Sequence, residues 1–235
     1  MLQQKSRIIL IETSTSLCSV ALAEDGRVVA YRESAEPRAH AAMTAPFVKE
    51  VLSDCGLSVG DCSAVCVSSG PGSYTGLRVG VSTAKGLCFG AGLPLLSVDT
   101  MEILVSQAFR EGLVPEGCRY IVPMIDARRM EVYSCIYDCG TRTRISGVAP
   151  VVVDAGTFEG ILSEGKVLFV GDGALKCRET IGHPDAVFVQ CCPKASAMAA
   201  PATEKFRAGA FEDVAYFEPF YLKEFIATVS KKNLF

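Results

Sequence analysis

The chain has little of the material from which protein metal sites are usually built. Its 235 residues include no tryptophan and two histidines, His40 and His183, which do not share a metal-ligand spacing. None of the eleven cysteines forms a C-x-x-C pair, and the neighbours Cys191 and Cys192 have no further ligands beside them. Most cysteines lie within apolar runs, so we expect buried thiols in a reducing cytoplasm. No metal site is predicted.

Long uninterrupted apolar runs and an excess of positive charge are also missing. The most apolar stretch, 77–96, contains Arg78 and Lys85, so no membrane-spanning helix is predicted. The first seven residues do not have the pattern of a signal peptide, and we expect a cytoplasmic protein with no membrane partner. A net charge of −3 argues against a protein that holds RNA by its own electrostatic field.

A glycine-rich turn lacks the signatures of the common phosphate-binding loops. The residues from Gly70 to Gly76 follow the apolar run 64–67, but no lysine stands at Walker spacing and there is no G-x-G-x-x-G pattern. A helix over Thr75–Gly90 is predicted behind the turn. Its small residues recur at every fourth position: Gly76, Gly80, Ala84 and Cys88. Because glycine inside a helix costs about 1 kcal/mol relative to alanine, this stripe favours close packing with another element, either within the chain or across a subunit interface.

The order of predicted elements repeats. Three strands over 7–33, a helix over His40–Cys55, a buried strand and a glycine turn come first. Strands and a short helix over 119–174 then lead to a second glycine turn, Gly171-Asp172-Gly173. This pattern favours an α/β protein with two duplicated lobes facing a cleft, as in the actin/hexokinase-like (ribonuclease H-like) ATPase fold. A single doubly wound domain is the competing interpretation.

Polar residues at the strand ends are the candidate nucleotide contacts. Glu12, Thr13, Ser14 and Thr15 end the first strand and could hold a phosphate or its metal, or simply form a hydrogen-bonded turn. The same two interpretations apply to the glycine turns. The residues concerned are Gly70, Gly72 and Ser73 in the first turn and Gly171, Asp172 and Gly173 in the second. A hairpin at Asp126–Glu131 is expected to be closed by ion pairs with Arg128 and Arg129.

Four blocks of sequence resemble the TsaB family. The blocks are Ile9–Thr15 with Cys18–Leu22, Gly70–Gly80 with Ala84–Leu87, Asp126–Tyr133, and Pro219–Glu224. They cover nearly the whole chain in order. The family commonly has aspartate where Glu12 stands, which weakens the case for a nucleotide contact at that corner.

The resemblance implies the actin-like fold and an accessory, non-catalytic role in making threonylcarbamoyladenosine 3′ to the tRNA anticodon. It implies a heterodimer with the transferase TsaD, contact with the ATPase TsaE through that assembly, tRNA contact only within the complex, and a homodimer when the chain is alone. No cofactor is required, although ATP or ADP could bind at the junction with the catalytic subunit. The transferase carries two histidine metal ligands where this chain has Thr100 and Leu104.

The two helices named above are expected to form the partner surface. Its predicted residues are His40, Met43, Phe47, Val51, Thr75, Gly76, Arg78, Val79, Gly80, Thr83, Ala84 and Leu87. Residues 1–108 are expected to form the first lobe, completed by 209–235, and 109–208 the second. The alternative function is an independent nucleotide-binding ATPase or metal-dependent enzyme of the same fold.

Overall fold

The computed structural model describes residues 5–222. The first sheet has five strands in the order β3-β2-β1-β4-β5. They are β1 (Arg7–Glu12), β2 (Cys18–Glu24), β3 (Arg27–Ser34), β4 (Ala64–Ser68) and β5 (Leu95–Val98). The first three strands are antiparallel, whereas β4 runs parallel to β1 and β5 parallel to β4. Every residue of β4 and β5 is buried, as expected for parallel strands covered on both faces.

The second sheet repeats this arrangement. Its strands are β6 (Cys118–Asp126), β7 (Glu131–Ser134), β8 (Tyr137–Asp138), β9 (Ala149–Val152), β10 (Lys166–Val170) and β11 (Ala186–Val189). The order β9-β7-β6-β10-β11 matches that of the first sheet strand for strand, with β10 parallel to β6 and β11 parallel to β10. The short strand β8 pairs with β6 outside this path. The duplicated actin/hexokinase-like fold is therefore confirmed, and the doubly wound alternative is wrong because each sheet begins with an antiparallel meander.

Helices cover both faces of the first sheet, and two short helices pack on the second. The helices of the described residues are α1 (Ala39–Asp54), α2 (Tyr74–Ala91), α3 (Thr100–Arg110), α4 (Glu159–Ser163), α5 (Arg178–Ile181) and α6 (Ala199–Arg207). Helices α4 and α5 belong to the second sheet. One apolar cluster joins α1 and α2 to one face of the sheet, and a second joins α6 to the other face. Helix α3 contributes Ile103 to the second cluster and Leu104 to the core of the second sheet. It therefore packs between the two sheets.

Most predicted elements of the first half are confirmed within two residues. The apolar spacing of 100–110 predicts a helix, and α3 has these bounds. The position of Pro46 predicts a start or a kink in the first helix, whereas α1 runs through the proline, which is exposed.

The second half is predicted less well. The alternating residues of 131–137 predict one strand, which the structure divides into β7 and β8. A strand predicted over 144–151 is reduced to β9, and β11 is not predicted.

The segment after α6 returns to the first sheet. Residues 212–221 lie along β5 and α2, beginning with a bridge between Leu95 and Glu212. The Lys85 ammonium then donates to the carbonyls of Ala215 (2.9 Å) and Phe217 (3.2 Å). Phe220 N–H donates to Ser69 O beside the glycine turn. We call residues 212–221 the C-terminal strap. The predicted completion of the first lobe and the fourth sequence block extend past residue 222, and those parts lie outside the described residues.

Candidate functional site

Glu12, at the end of β1, is fully buried and is held by its neighbours. Its Oε1 accepts from Ser14 N–H (2.5 Å) and from the Ser68 hydroxyl (3.0 Å), and Oε2 accepts from the Ser14 hydroxyl (3.1 Å). Burial raises the pKa of Glu12 to about 7, although these hydrogen bonds partly oppose the shift. Ser68 was not among the predicted site residues. It ends the parallel strand next to β1, and that register could have indicated its position.

The glycine turn packs tightly against the residues after β1. A Cβ on Gly72 would overlap Ser14, and one on Gly76 would overlap the carbonyl oxygen of Thr13. Ser73 N–H donates to Ser14 O (2.6 Å), while the Ser73 hydroxyl caps α2 by accepting from Gly76 N–H. The chain's own atoms therefore use these donors, which argues against a phosphate cradle at the start of α2.

The hydroxyls of the turn after β1 differ in their hydrogen-bond partners. Thr13 Oγ1 and Thr15 Oγ1 are buried and have no hydrogen-bond partner within residues 5–222. An unpartnered buried hydroxyl is unfavourable. Thr13 Oγ1 is covered by Gly80 of α2, so Thr15 Oγ1 is the atom of this pair that a ligand could still satisfy. The interpretation of Glu12-Thr13-Ser14-Thr15 as a hydrogen-bonded turn fits Glu12 and Ser14 but leaves the threonines unexplained.

The second glycine turn is closed in the same way. A Cβ on Gly171 would overlap Met124 O, and Gly173 N–H donates to that same carbonyl. Asp172 Oδ1 accepts from Asp126 N–H (2.9 Å), so Asp172 ties two strand ends together. Burial raises the pKa of Asp172 to about 6, and the nearby Asp126 carboxylate acts in the same direction. The two turns thus occupy equivalent places at the ends of β4 and β10.

A residue from elsewhere in the chain helps to hold the hairpin after β6. The Asp126 carboxylate accepts from Arg128 N–H (2.7 Å) and pairs with Lys176 (2.6 Å). Arg128 and Arg129 have left-handed backbone conformations, with φ of 73° and 48°. Lys176 is 50 residues away in sequence and comes beside the hairpin because β10 pairs with β6.

Thr100 and Leu104 lie on the first two turns of α3. Both are fully buried. Leu104 belongs to the apolar core of the second sheet, and its Cδ1 would lie 3.1 Å from a Cβ on Gly171. Thr100 N–H donates to Gly70 O. Within residues 5–222, no three His, Cys, Asp or Glu side chains form a group that could hold a metal ion.

The predicted partner surface divides into buried and accessible residues. Five of the predicted residues are buried within the chain: Phe47, Val51, Gly76, Gly80 and Ala84. Thr75 and Arg78 are exposed, and His40, Met43, Val79, Thr83 and Leu87 are half-buried. The five buried positions face the chain's own core in this structure, and the accessible residues are those whose side chains reach the surface.

The small-residue stripe of α2 faces the chain's own first sheet. A Cβ on Gly80 would overlap Thr13 Oγ1 and would lie 3.4 Å from Val67. The close packing predicted from the stripe is therefore internal. A bulky residue at Gly80 would disturb the fold as well as any assembly, so it is not a selective probe of an interface. On the outer side of α2, Gly86 and Gly90 have nothing within 4 Å of an added Cβ.

The architecture and the two closed turns define an actin-like α/β protein whose glycine turns are occupied by its own chain. A family model for TsaD, "tRNA N6-adenosine threonylcarbamoyltransferase", matches residues 33–228. The chain belongs to this family, and the named relatives that it resembles within it are TsaB proteins.

Three comparisons illustrate the similarity. The chain is 40% identical over 131 residues to the "tRNA threonylcarbamoyladenosine biosynthesis protein TsaB" of Escherichia coli (strain K12), covering 56% of this chain and 54% of the relative. The TsaB of Haemophilus influenzae is 36% identical over 130 residues, with 55% and 53% covered. The chain thus spans about half the length of the curated relatives it matches. The crystal structure of YeaZ from Pseudomonas aeruginosa superposes with a TM-score of 0.79 at 26% identity, over 92% of this chain and 100% of that one.

Proposed function

We propose that this protein is a non-catalytic accessory subunit in tRNA threonylcarbamoyladenosine biosynthesis, acting with a TsaD-type transferase. The observation that carries the proposal is the packing of α3. Where the resemblance places the histidine ligands of the transferase, this chain has Thr100, which offers a hydroxyl, and Leu104, which fills the core beside Gly171. A divalent metal bound by imidazoles has no counterpart at these positions.

The outer face of α1 and α2 is the proposed partner surface. Its residues are the predicted ones that remain accessible: His40, Met43, Thr75, Arg78, Val79, Thr83 and Leu87. The two helices lie side by side on one face of the first sheet, so their outer sides form one continuous layer. The heterodimer with the transferase would use this layer. A homodimer of the free chain would use the same layer when the transferase is absent.

The remaining features of the proposal follow from the closed turns and the charge. The occupied glycine turns support a chain that needs no nucleotide of its own. Thr15 could contribute its hydroxyl to ATP or ADP held at the junction with the transferase. A TsaE-type ATPase would join through the assembled pair, and tRNA would be contacted within the complex, in the cytoplasm. No helix within residues 5–222 is long and apolar enough to cross a membrane.

The test is threonylcarbamoyl transfer to tRNA by TsaD and TsaE with and without this chain. We expect transfer to depend on the chain and the chain alone to be inactive. The alternative function, an independent ATPase or metal-dependent enzyme, predicts instead that the isolated chain turns over and that Glu12→Gln or Asp172→Asn abolishes the turnover. Transfer that is equally fast without the chain would contradict the accessory role.

The partner surface has its own test. Arg78 is exposed on α2, where its guanidinium bonds the Tyr74 hydroxyl (2.6 Å). Arg78→Glu should weaken the heterodimer at least tenfold in a titration monitored by light scattering, because it reverses a charge within the layer. Arg178→Glu, an exposed arginine on the second lobe, is the matched control and should leave the affinity unchanged. Equal affinity for both variants would place the interface elsewhere.

A further inference from the structure

A cavity of about 630 Å³ lies on the side of the first sheet opposite α1 and α2. Helices α3 and α6 and the turn between β2 and β3 form three of its walls. The second lobe adds Tyr137 and Arg142, so residues of both lobes line it. Its volume lies within the range of small-molecule sites. None of the predicted nucleotide or partner residues lines this cavity.

The interior of the cavity is apolar along one side. Val105 and Phe109 come from α3, Pro201 from α6 and Val28 from the start of β3. Val105 is 5% exposed and belongs to the core of the second sheet, so this wall is fixed by packing. An apolar wall of this kind favours a ligand with a hydrocarbon or aromatic body.

Two arginines form a basic end near the C-terminus of α3. Arg110 is positioned by Ser196, whose hydroxyl accepts from its Nη2 at 2.7 Å. The guanidinium carbon of Arg142 lies 4.0 Å from the centre of the Phe109 ring, a cation–π contact. Within residues 5–222 Arg142 has no carboxylate partner. The N–H groups at the edge of its guanidinium are therefore free to donate to a ligand carboxylate.

The backbone around Arg142 is held in an unusual conformation. Arg142 has φ of 57°, a left-handed value that a residue with a side chain rarely adopts. The turn is fixed by Asp138, whose Oδ1 accepts from Thr141 N–H (2.9 Å) and whose N–H donates to Thr143 O (3.0 Å). Glycine would suit this backbone better, so an arginine here is costly for the fold unless its side chain is used.

Acidic residues line the opposite end. Glu102, near the start of α3, pairs loosely with Lys205 (3.8 Å), and Glu204 lies on α6. Arg27, from the start of β3, also lines the cavity, and Lys205 lies beside Glu102, so the two carboxylates are partly offset. The arginine end offers guanidinium donors to a ligand carboxylate, and the single negative charge is placed there.

We propose that this cavity binds a small organic monocarboxylate with an apolar body. The carboxylate accepts hydrogen bonds from Arg110 and Arg142, and the body lies against Val105, Phe109 and Pro201. Because the ligand contacts both lobes, its binding would also hold them together. This site is separate from the proposed partner surface and does not depend on the proposed role in tRNA modification.

The test uses 4-phenylbutyrate as a probe, with isothermal titration and saturation-transfer NMR on the full chain. Saturable binding is expected for the wild type, with at least a tenfold weaker affinity for Arg142→Gly. The matched control is Arg128→Gly, because Arg128 also has a left-handed backbone (φ 73°) but lies outside the cavity. Both variants should keep or raise the Tm, so a loss of binding cannot be attributed to unfolding.

The neutral analogue 4-phenylbutanamide separates charge from apolar packing. It should bind at least tenfold more weakly than the carboxylate. Three results would overturn the proposal: no saturable binding of 4-phenylbutyrate to the wild type, unchanged affinity in Arg142→Gly, or equal affinity for the amide and the acid.

Discussion

Gly80 on α2 lies directly over the side chain of Thr13, which leaves no room for a Cβ between the helix and the end of β1. The contact joins α2 to the end of β1, where Glu12 lies. It explains why glycine, which has an unfavourable helix propensity, stands at position 80. It also assigns the small-residue stripe to the interior of the first lobe.

Two glycines of α2 should therefore respond oppositely to the same substitution. Gly80→Ala should lower the free energy of unfolding by about 1–3 kcal/mol, because the added methyl group overpacks the contact with Thr13. Gly86→Ala, six residues along the helix with nothing within 4 Å, should raise it by about 0.5–1 kcal/mol. Urea denaturation of the isolated chain measures both. Equal changes in the two variants would refute the internal role of the stripe.

The buried carboxyl of Glu12 should make stability depend on pH. Its pKa is raised from 4.5 to about 7, so between these values the folded chain keeps a proton that the unfolded chain releases. Stability should consequently fall as the pH rises through this window, by about 3 kcal/mol in all. Glu12→Gln should remove the part of this dependence that Glu12 causes, because an amide resembles the protonated acid, and should leave the smaller fall below about pH 6 that the raised pKa of Asp172 causes.

The comparison requires denaturation curves at pH 5 and pH 8. The variant should be close to the wild type at pH 5 and more stable than it at pH 8. Glu159→Gln, which changes an exposed carboxylate on α4, is the control and should leave the pH dependence as it is. A wild-type stability that rises from pH 5 to pH 8, with no difference between Glu12→Gln and the wild type, would show that Glu12 ionises normally.

The core position Leu104 offers a third prediction. It is fully buried, packs in the core of the second sheet and lies close to Gly171. Leu104→Ala should lower the free energy of unfolding by about 2–4 kcal/mol, through lost burial and the cavity left behind. Leu175→Ala, at a side chain that is 44% exposed, is the control and should change it by less than about 1 kcal/mol. A near-neutral Leu104→Ala would indicate that this position is not packed as described.

Prediction from sequence succeeded where the pattern was local. The strands of the first half are runs of β-branched and apolar residues, and α3 has a capping aspartate, Asp99, whose side chain accepts from Met101 N–H. The duplicated order of elements favoured the fold class, and the resemblance to the TsaB family decided it against a doubly wound domain. The second half was harder because the connection between β8 and β9 is polar and irregular, and because β11 is only four residues long.

The direction in which a helix face points could not be predicted. A stripe of small residues on α2 is equally compatible with the chain's own sheet and with a partner, and only the position of Thr13 decides between them. The ion pair of Asp126 with Lys176 depends in the same way on strand pairing over 50 residues. Contacts of this kind depend on how the elements pack in three dimensions. Such contacts leave no periodic signal in the sequence.

The last prediction concerns the C-terminal strap and its attachment to α2 through Lys85. The Lys85 ammonium donates to two strap carbonyls, of Ala215 and Phe217, and charge-assisted bonds of this type contribute about 1.5–3 kcal/mol. Lys85→Met keeps the aliphatic part of the side chain but removes both bonds. Hydrogen exchange of the strap, including the Phe220 amide that donates to Ser69 O, should become about tenfold faster. Lys49→Met, at an exposed lysine on α1, should leave the exchange unchanged, and the same rate in both variants would mean that the Lys85 bonds do not hold the strap.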